Sequence, residues 1–354
     1  MKNELTALEA KFEAQKLAFG PYYFQVIVTL RKTGVLNFIK SSRKGVTIDA
    51  IVSDSGINEY GVRTLLEAAE SSNVVEFIDD DLVKITKIGY MINSDEMTSV
   101  NINFVNDVCY EGAKYLTESL VTNKPEGLKV FGVWPTLYEA LPYLPDQVKK
   151  SWFEFDHYYS DDAFPHVLPL IFKGGPIKIF DMGGNTGKWS AACCEYDSDV
   201  QMTILDLPGQ LNVAKQNVEG RNFSDRIDFF PIDLLDRSQK IPKGADTVWM
   251  SQFLDCFSES EIIAILLNVH QAVDTDADIY ILETFIDNQK FEAAKYSLTA
   301  TSLYFTTMAN GNSKMYSMRH MVSIVNEAGF EVVETTQLKG NNYHTLLKCK
   351  KKTN

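Results

Sequence analysis

The chain has 354 residues, of which 45% are hydrophobic and 12% aromatic, enough apolar material for the cores of two or three domains. Only 20 glycines and 11 prolines are present, which excludes collagen-like, low-complexity and disordered chains. The 47 acidic residues outnumber the 34 Lys and Arg, giving a net charge of −13 that repels a polyanion such as DNA on average.

The expected compartment is the reducing cytoplasm. No apolar run is long enough for a transmembrane helix, and Met1–Ala10 lacks the hydrophobic core of a secretory signal. The cysteines are odd in number and show no spacing typical of zinc ligands, so we expect neither a disulfide framework nor a metal site. These five residues are Cys109, Cys193, Cys194, Cys256 and Cys349.

The first part of the chain, from Met1 to about Val100, predicts a winged helix. Thr47 precedes one short helical segment and Gly56 ends it, while Asn58 precedes the next, as N-caps and C-caps do. Alternating apolar residues on either side of an acidic turn predict a β-hairpin. The predicted helices are Phe12–Lys32, Val35–Lys40, Ile48–Val52 and Glu59–Ser71, and the predicted hairpin strands are Val74–Ile78 and Leu82–Ile85.

A winged helix can bind DNA, but the charges of this one argue against it. The second helix of the motif carries Arg63 as its single cation, and the hairpin turn is Asp79–Asp81. Residues 1–100 hold 11 Lys and Arg against 14 Asp and Glu, whereas phosphate binding needs several cations on one face. The sequence therefore favours packing or dimerisation, with no nucleic-acid or membrane partner.

Residues 101–175 read as a helical connector that is rich in aromatic side chains. Most such residues belong to a core, but aromatic residues with polar tips at a domain junction also line pockets for flat ligands. His157 lies within this segment and is a candidate alternative base, although a pocket-lining role fits it better.

From Pro176 onward, strands alternate with helices, which predicts a parallel sheet covered on both faces. Ligands of such sheets bind beyond the carboxyl ends of the strands. Three of the first four strands end at, or just before, an aspartate: Asp181, Asp206 and Asp233. The predicted strands are Ile177–Phe180, Val200–Leu205, Ile227–Phe230, Asp246–Met250, Asp278–Leu282, Phe330–Thr336 and His344–Lys350.

The glycine-rich turn Asp181–Gly187 lies between a strand and a helix, where it can approach a ligand closely. Asp206 can accept both hydroxyls of a ribose, and Asp233 can accept from an adenine amino group. Neither a complete GxGxxG nor a Walker lysine is present, so phosphate binding is poorly supported. A nucleoside ligand such as S-adenosylmethionine is favoured over NAD or ATP.

Several segments resemble the small-molecule O-methyltransferases related to plant caffeate and bacterial polyketide enzymes. Ile179–Gly187 is similar to the DVGGGTG cofactor loop of that family, Leu205–Pro208 to its DLP ribose motif, and Phe230–Asp233 to its adenine segment. The resemblance implies a dimerisation domain over 1–100 and a connector over 101–175, both contributing to the substrate pocket. It also implies a seven-stranded Rossmann-like methyltransferase domain over 176–354.

The same resemblance implies a homodimer that transfers methyl from S-adenosylmethionine to a phenolic or enolic oxygen of a small aromatic substrate. Glu283 matches the glutamate that orients the family's base, and Ser251 stands where plant members have a cofactor-contacting lysine. The implied cofactor-binding residues are Asp181, Gly183, Gly184, Asn185, Asp206, Leu207, Asp233, Leu234 and Ser251, and the implied substrate-pocket residues are His157 and Met308.

The catalytic segment departs from the family pattern. Asp255 stands where the family has its histidine base, Asn185 replaces the third loop glycine, and Met315 replaces a second glutamate. An aspartate (pKa about 3.9) is mismatched to a phenol (about 10) by roughly 6 units, and burial beside Glu283 would narrow that gap. Three possibilities stay open: O-methylation with Asp255 as the base, C- or N-methylation, and a changed or lost reaction.

Overall fold

The computed structural model describes residues 5–338 and 344–352. Its backbone forms two compact units, Met1–Asn106 and Asp107–Asn354. Within the described residues, no helix is both long and apolar enough to cross a bilayer.

The first unit packs helices against a small antiparallel sheet in which β3 lies between β1 and β2. The predicted segment Phe12–Lys32 divides into two helices at Phe19, because Pro21 lies in the first turn of the second helix and cannot donate to a preceding turn. The elements are α1 (Ala7–Ala18), α2 (Gly20–Lys32), α3 (Val35–Lys40), β1 (Val46–Thr47), α4 (Ile48–Ser55), α5 (Glu59–Ser71), β2 (Val75–Phe77), β3 (Leu82–Ile85), α6 (Lys87–Ser94) and α7 (Glu96–Phe104).

Three predicted caps are present in this unit. Thr47 Oγ1 accepts from the Ala50 amide at 3.3 Å, and Asn58 Oδ1 accepts from the Gly61 amide at 2.8 Å. Gly56 ends α4 with φ of 69°, where a side chain would be strained. Each side-chain cap typically contributes about 0.5–2 kcal/mol, so local sequence fixes the ends of both helices.

Arg63, the single cation of α5, is paired with carboxylates of its own domain. Its guanidinium lies 2.8 Å from Glu59 and 3.0 Å from Asp81 in the hairpin turn. Asp79 Oδ1 accepts the amides of Asp81 and Leu82, which shapes that turn. The arginine therefore ties the hairpin to the helix.

The second unit holds the larger sheet, with helices on both faces. Its helices are α8 (Leu116–Thr122), α9 (Leu137–Ala140), α10 (Asp146–Ser160), α11 (Phe164–Phe172), α12 (Lys188–Tyr196), α13 (Pro208–Val218), α14 (Glu259–Ala272), α15 (Glu292–Tyr304) and α16 (Met318–Glu327). Its strands are β4 (Lys178–Met182), β5 (Gln201–Asp206), β6 (Ile227–Pro231), β7 (Thr247–Ser251), β8 (Asp278–Glu283), β9 (Phe330–Gln337) and β10 (Thr345–Lys351).

The sheet has the order β6-β5-β4-β7-β8-β10-β9, and its first five strands are parallel, as predicted. The expectation of a parallel sheet is wrong for β10, which runs antiparallel to both β8 and β9. The residues between Gln337 and Thr345 are too few for the crossover that parallel neighbours need.

The strand order reverses between β4 and β7, which creates the crevice where sheets of this kind bind ligands. Two apolar layers hold the strands in place. One contains Trp249, which is 1% exposed and stacks on Trp189 at 4.2 Å between ring centroids. The other contains Phe285 and Phe330, each 1% exposed. The strand ends that form the crevice are thus supported by two packed apolar layers.

Candidate active site

A cavity of about 740 Å³ lies within the second unit, at the carboxyl ends of β4, β5, β7 and β8. Residues of the connector, including α10, form another part of its wall. Seven of the predicted site residues line it: Gly183, Asn185, Asp206, Leu207, Asp233, Leu234 and Asp255. Six others do not belong to the lining: Asp181, Gly184, Ser251, Glu283, His157 and Met308.

The loop after β4 requires glycine for steric reasons. Gly183 has φ of 68°, and a Cβ there would lie 2.2 Å from the ring of Phe253. A Cβ on Gly184 would lie 2.7 Å from a carboxylate oxygen of Asp181. Asn185 adopts φ of 48°, a conformation that asparagine tolerates better than most residues, so the loop keeps its turn without the third glycine.

Asp206 is held at the end of β5 by two backbone amides. The Asn185 amide donates to Oδ2 at 2.9 Å and the Leu207 amide to Oδ1 at 2.7 Å. Burial raises the pKa of Asp206 to about 6, against the lowering effect of these two bonds. Each oxygen keeps acceptor capacity toward the cavity that the residue lines.

Asp181 lies beneath the loop and supports it from below. Its carboxylate is 2% exposed and accepts from the Ser190 hydroxyl at 2.7 Å. Burial and, to a smaller extent, the negative charge of Asp206 raise its pKa to about 7, against the lowering effect of the Ser190 hydrogen bond. Its contacts are those of a residue that positions the loop.

Asp233 and Leu234 follow β6 on another part of the lining. Asp233 is exposed, and its Oδ1 accepts from the Leu235 amide at 2.9 Å. Its own amide donates to the Gln239 side chain at 3.0 Å, so a local turn fixes the direction of the carboxylate.

Two buried carboxyl groups stand together beyond β7 and β8. Glu283 is 2% exposed, and its Oε1 accepts from the amides of Phe253 at 3.2 Å and Leu254 at 3.0 Å. Asp255, 5% exposed, faces the cavity from the same turn. Burial and, to a smaller extent, the charge of Asp156 raise the pKa of Asp255 to about 7. The pKa of Glu283 is raised by burial and then by Asp255.

Asp156, on α10, was missed by the sequence analysis. It lines the cavity and accepts from Asn185 Nδ2 at 3.2 Å. Burial raises its pKa to about 6. An acidic residue within the aromatic run of the connector was the available signal, since a carboxylate among aromatic side chains is costly to bury without a purpose.

Several polar atoms near the cavity are buried without a hydrogen-bond partner in the described structure. Ser251 Oγ and Gln252 Nε2 lie at the end of β7, and Thr284 Oγ1 follows β8. Gln252 also has φ of 48°, a strained value for a residue other than glycine. Buried polar groups are normally satisfied, so these atoms fit a polar ligand that would complete them.

His157 and Met308, the two residues implied for the substrate pocket, point elsewhere. His157 Nδ1 lies 3.4 Å from Asp161, and its ring stacks on Phe153. Met308 is completely buried, and a Cβ on Gly112 would lie 2.1 Å from its sulfur. Aromatic side chains that do line the cavity include Trp152, Phe155, Tyr304 and Phe305.

Comparison with known proteins agrees with this geometry. The O-methyltransferase domain family matches residues 171–331, and the Dimerisation2-like domain family matches residues 11–82. Over 317 residues, covering 89% of this chain and 85% of the relative, the chain is 23% identical to the L-tyrosine C(3)-methyltransferase of Streptomyces lavendulae.

Solved structures match the fold over nearly the whole chain. The apo form of the S-adenosylmethionine-dependent methyltransferase SibL aligns with a TM-score of 0.71 at 20% identity, covering 98% of this chain and 99% of that one. Human N-acetylserotonin methyltransferase in complex with S-adenosylmethionine aligns with a TM-score of 0.66 at 16% identity, covering 100% of both chains.

Each compact unit therefore carries a matching domain, the first a dimerisation domain and the second a methyltransferase domain. The residues present at the glycine loop and Asp206, whose two oxygens keep acceptor capacity, fit a cofactor with ribose hydroxyls such as S-adenosylmethionine. The chain is therefore an S-adenosylmethionine-dependent methyltransferase that carries an O-methyltransferase domain at residues 171–331 and a Dimerisation2-like domain at residues 11–82.

Proposed function

We propose that this enzyme methylates the hydroxyl of a small aromatic acceptor and that Asp255 takes the hydroxyl proton. The observation that carries the proposal is the buried pair of Asp255 and Glu283 beside the cavity that Asp206 also lines. The aromatic walls of that cavity suit a flat ring, and Asp255 is the group that can act on its hydroxyl.

Residues at the strand ends would hold the cofactor. Asp206 would accept from the ribose hydroxyls, and Asp233 would accept from the adenine amino group. The unpartnered hydroxyls of Ser251 and Thr284 gain partners when the polar cofactor or acceptor is present. Gly183 keeps the loop free of a side chain, so the backbone can approach the ligand.

When bound, the cofactor supplies a methyl group on a positively charged sulfur that is already activated toward attack. The chain's remaining tasks are to align the acceptor, exclude water and remove one proton. Asp255, with its pKa near 7, is about 3 units below a phenol rather than about 6, because burial destabilises its charged form. Glu283 anchors the turn that carries Asp255 through two backbone amides.

A second candidate is methylation of a ring carbon next to the hydroxyl. The L-tyrosine C(3)-methyltransferase relative, which aligns over 89% of this chain, favours it. In that reaction Asp255 takes the same hydroxyl proton, and the adjacent ring carbon of the resulting phenolate attacks the methyl group. That carbon then loses its own proton, which restores the aromatic ring, and the oxygen is reprotonated. A methylated product that keeps its phenolic titration and lacks one ring-proton signal in NMR would identify carbon as the acceptor.

The role of Asp206 predicts a loss of cofactor affinity in Asp206→Ala. A charge-assisted hydrogen-bond acceptor in a buried site contributes about 1.5–3 kcal/mol, so affinity for S-adenosylmethionine should fall by about 10- to 100-fold in calorimetry. Asp228→Ala, an exposed aspartate on neighbouring β6, is the matched control. Unchanged affinity in Asp206→Ala would contradict the ribose assignment.

A cytoplasmic homodimer is the expected assembly. Helix α1 has no buried residue, and it leaves Leu8 81%, Phe12 56% and Leu17 79% exposed, more apolar surface than a lone helix retains in water. The five cysteines are free thiols, which suits a reducing compartment. Light scattering should give twice the mass of one chain. Removal of residues 1–18 should reduce the measured mass to that of a single chain. A wild-type monomer at micromolar concentration would refute the dimer.

A further inference from the structure

The charge of the cavity lining is one-sided. Among the described residues that line it, none is Lys, Arg or His. Six lining residues carry carboxyl groups: Glu139, Asp156, Asp206, Asp233, Asp255 and Glu261. Such a lining repels anions and attracts cations, because charges act over longer range inside a partly enclosed, low-dielectric site than in open water.

Most of these carboxyl groups already have a task. Asp206 and Asp233 serve the nucleoside part of the cofactor in the proposed function, and Asp255 serves the acceptor hydroxyl. Glu261 accepts from the Ser258 amide and hydroxyl at 2.8 and 2.6 Å, where it completes the cap of α14. Glu139 is exposed. Asp156, which is half-buried, is the carboxyl group that remains.

Asp156 is positioned to act on a ligand in the cavity. Asn185 Nδ2 holds one of its oxygens at 3.2 Å, which fixes the side chain and leaves acceptor capacity. Its charge reaches Asp255 and Tyr304, both on the lining. Burial raises the pKa of Asp156, whereas His157 and Lys188, which lie outside the lining, lower it; both also contact Asp161, at 3.4 and 2.6 Å.

Thr284 gives an independent indication of a polar ligand. It is 2% exposed, lines the same cavity, and its Oγ1 has no hydrogen-bond partner in the described structure. A buried hydroxyl left unpaired costs free energy, so a ligand with a polar group beside it would be favoured. The lining therefore combines aromatic walls, carboxylates and an unsatisfied hydroxyl.

We propose that the acceptor is an aromatic compound bearing a positively charged amino group and that Asp156 selects it by accepting from that ammonium. This inference rests on the proposed methyl transfer and specifies its substrate class. An ammonium would replace the mutual repulsion of Asp156 and Asp255 with an attraction. A carboxylate in its place would add a further negative charge to the cavity.

Three phenols of matched shape test the inference: tyramine, 4-ethylphenol and 3-(4-hydroxyphenyl)propionate, which are cationic, neutral and anionic. Calorimetry would measure their binding to the protein saturated with S-adenosylhomocysteine, so that no reaction occurs. We expect tyramine to bind about 10- to 100-fold more tightly than 4-ethylphenol, and the propionate to bind most weakly.

Asp156→Asn should remove the advantage of tyramine over 4-ethylphenol while S-adenosylhomocysteine binds as before. Glu154→Gln removes an equal charge from an exposed position on the same helix, outside the lining, and should leave the preference intact. Comparable binding of the three phenols, or failure of all three to bind, would overturn the inference, with no variant required.

Two further outcomes separate the possible failures. If Asp156→Asn weakens S-adenosylmethionine but not S-adenosylhomocysteine, the carboxylate serves the cofactor's positive sulfur, and the inference about the acceptor is wrong. If the wild-type protein binds neither cofactor form, the proposed function fails and this inference fails with it. Cofactor binding without a charge preference among the phenols would overturn this inference alone.

Discussion

Asp255→Asn is expected to lower kcat by about 10² to 10⁴-fold on an authentic acceptor, the usual contribution of a general base. Asparagine has nearly the same shape but cannot take a proton, so KM should change much less than kcat. Steady-state kinetics of the wild type and the variant would measure the changes in kcat and KM separately. A rise in KM that exceeds the fall in kcat would indicate that Asp255 only hydrogen-bonds the acceptor.

The pH profile gives the same residue a second test. The carboxylate is the active form and its pKa is about 7, so kcat should be full above that pH and fall as the pH drops through it. The charge of Asp255 is linked to five titratable groups, so the fall in kcat reports the titration of the whole cluster: Asp156, Glu283, Cys256, Tyr138 and Tyr316. In Asp255→Asn, kcat should no longer show this fall as the pH drops through 7.

The variant Asp255→His tests whether a histidine can replace Asp255 as the base. It should retain or raise activity, because a histidine of pKa about 6.5 is a competent base in the frame where the family uses one. Inactivity of Asp255→His together with full activity of Asp255→Asn would mean that the residue takes no part in proton removal.

Gly183→Ala is expected to damage both folding and cofactor binding. The new Cβ would meet the Phe253 ring at 2.2 Å, and φ of 68° disfavours any side chain. Left-handed strain of about 1–2 kcal/mol and overpacking of about 1–3 kcal/mol together predict a loss of about 2–5 kcal/mol in the free energy of unfolding. Urea unfolding would measure it, and calorimetry should find cofactor affinity reduced at least about tenfold.

Gly174→Ala is the matched control in the same unit. Its Cβ would have only ordinary contacts, the nearest at 3.7 Å, and no positive φ is involved. Its stability should lie within about 0.5 kcal/mol of the wild type. If Gly183→Ala were equally mild, the close approach of the loop to Phe253 would not constrain the site.

Local chemistry explains why much of the fold could be predicted from sequence. Thr47, Gly56 and Asn58 mark helix ends through bonds to their own neighbours, and these bonds are present. The strands that contain Asp181 and Asp206 end within two residues of the predicted positions, because buried apolar runs end near polar residues. The direction of β10 depended on the length of its connection, which strand-helix alternation alone did not address.

The site was only partly predictable, because some of its residues come together through packing rather than through a motif. Asp156 reaches the cavity because α10 packs with that face inward, a fact that spacing along the chain does not encode. Thr284 gave no signal beyond its place after a strand. His157, one residue from Asp156, turns instead toward Asp161. One position along a helix was enough to change which side chain lines the cavity.

The most direct test of the account is mass spectrometry of purified enzyme incubated with S-adenosylmethionine and a panel of phenols that includes amino-substituted members. We predict a product heavier by one methylene unit together with stoichiometric S-adenosylhomocysteine. Both should form much more slowly in Asp255→Asn, and also in Asp206→Ala when S-adenosylmethionine is below saturation. If S-adenosylmethionine binds but Asp255→Asn forms product at the wild-type rate, the assignment of the base is contradicted. If no phenol in the panel gains mass while the cofactor is bound, the proposed transfer to an aromatic acceptor is contradicted.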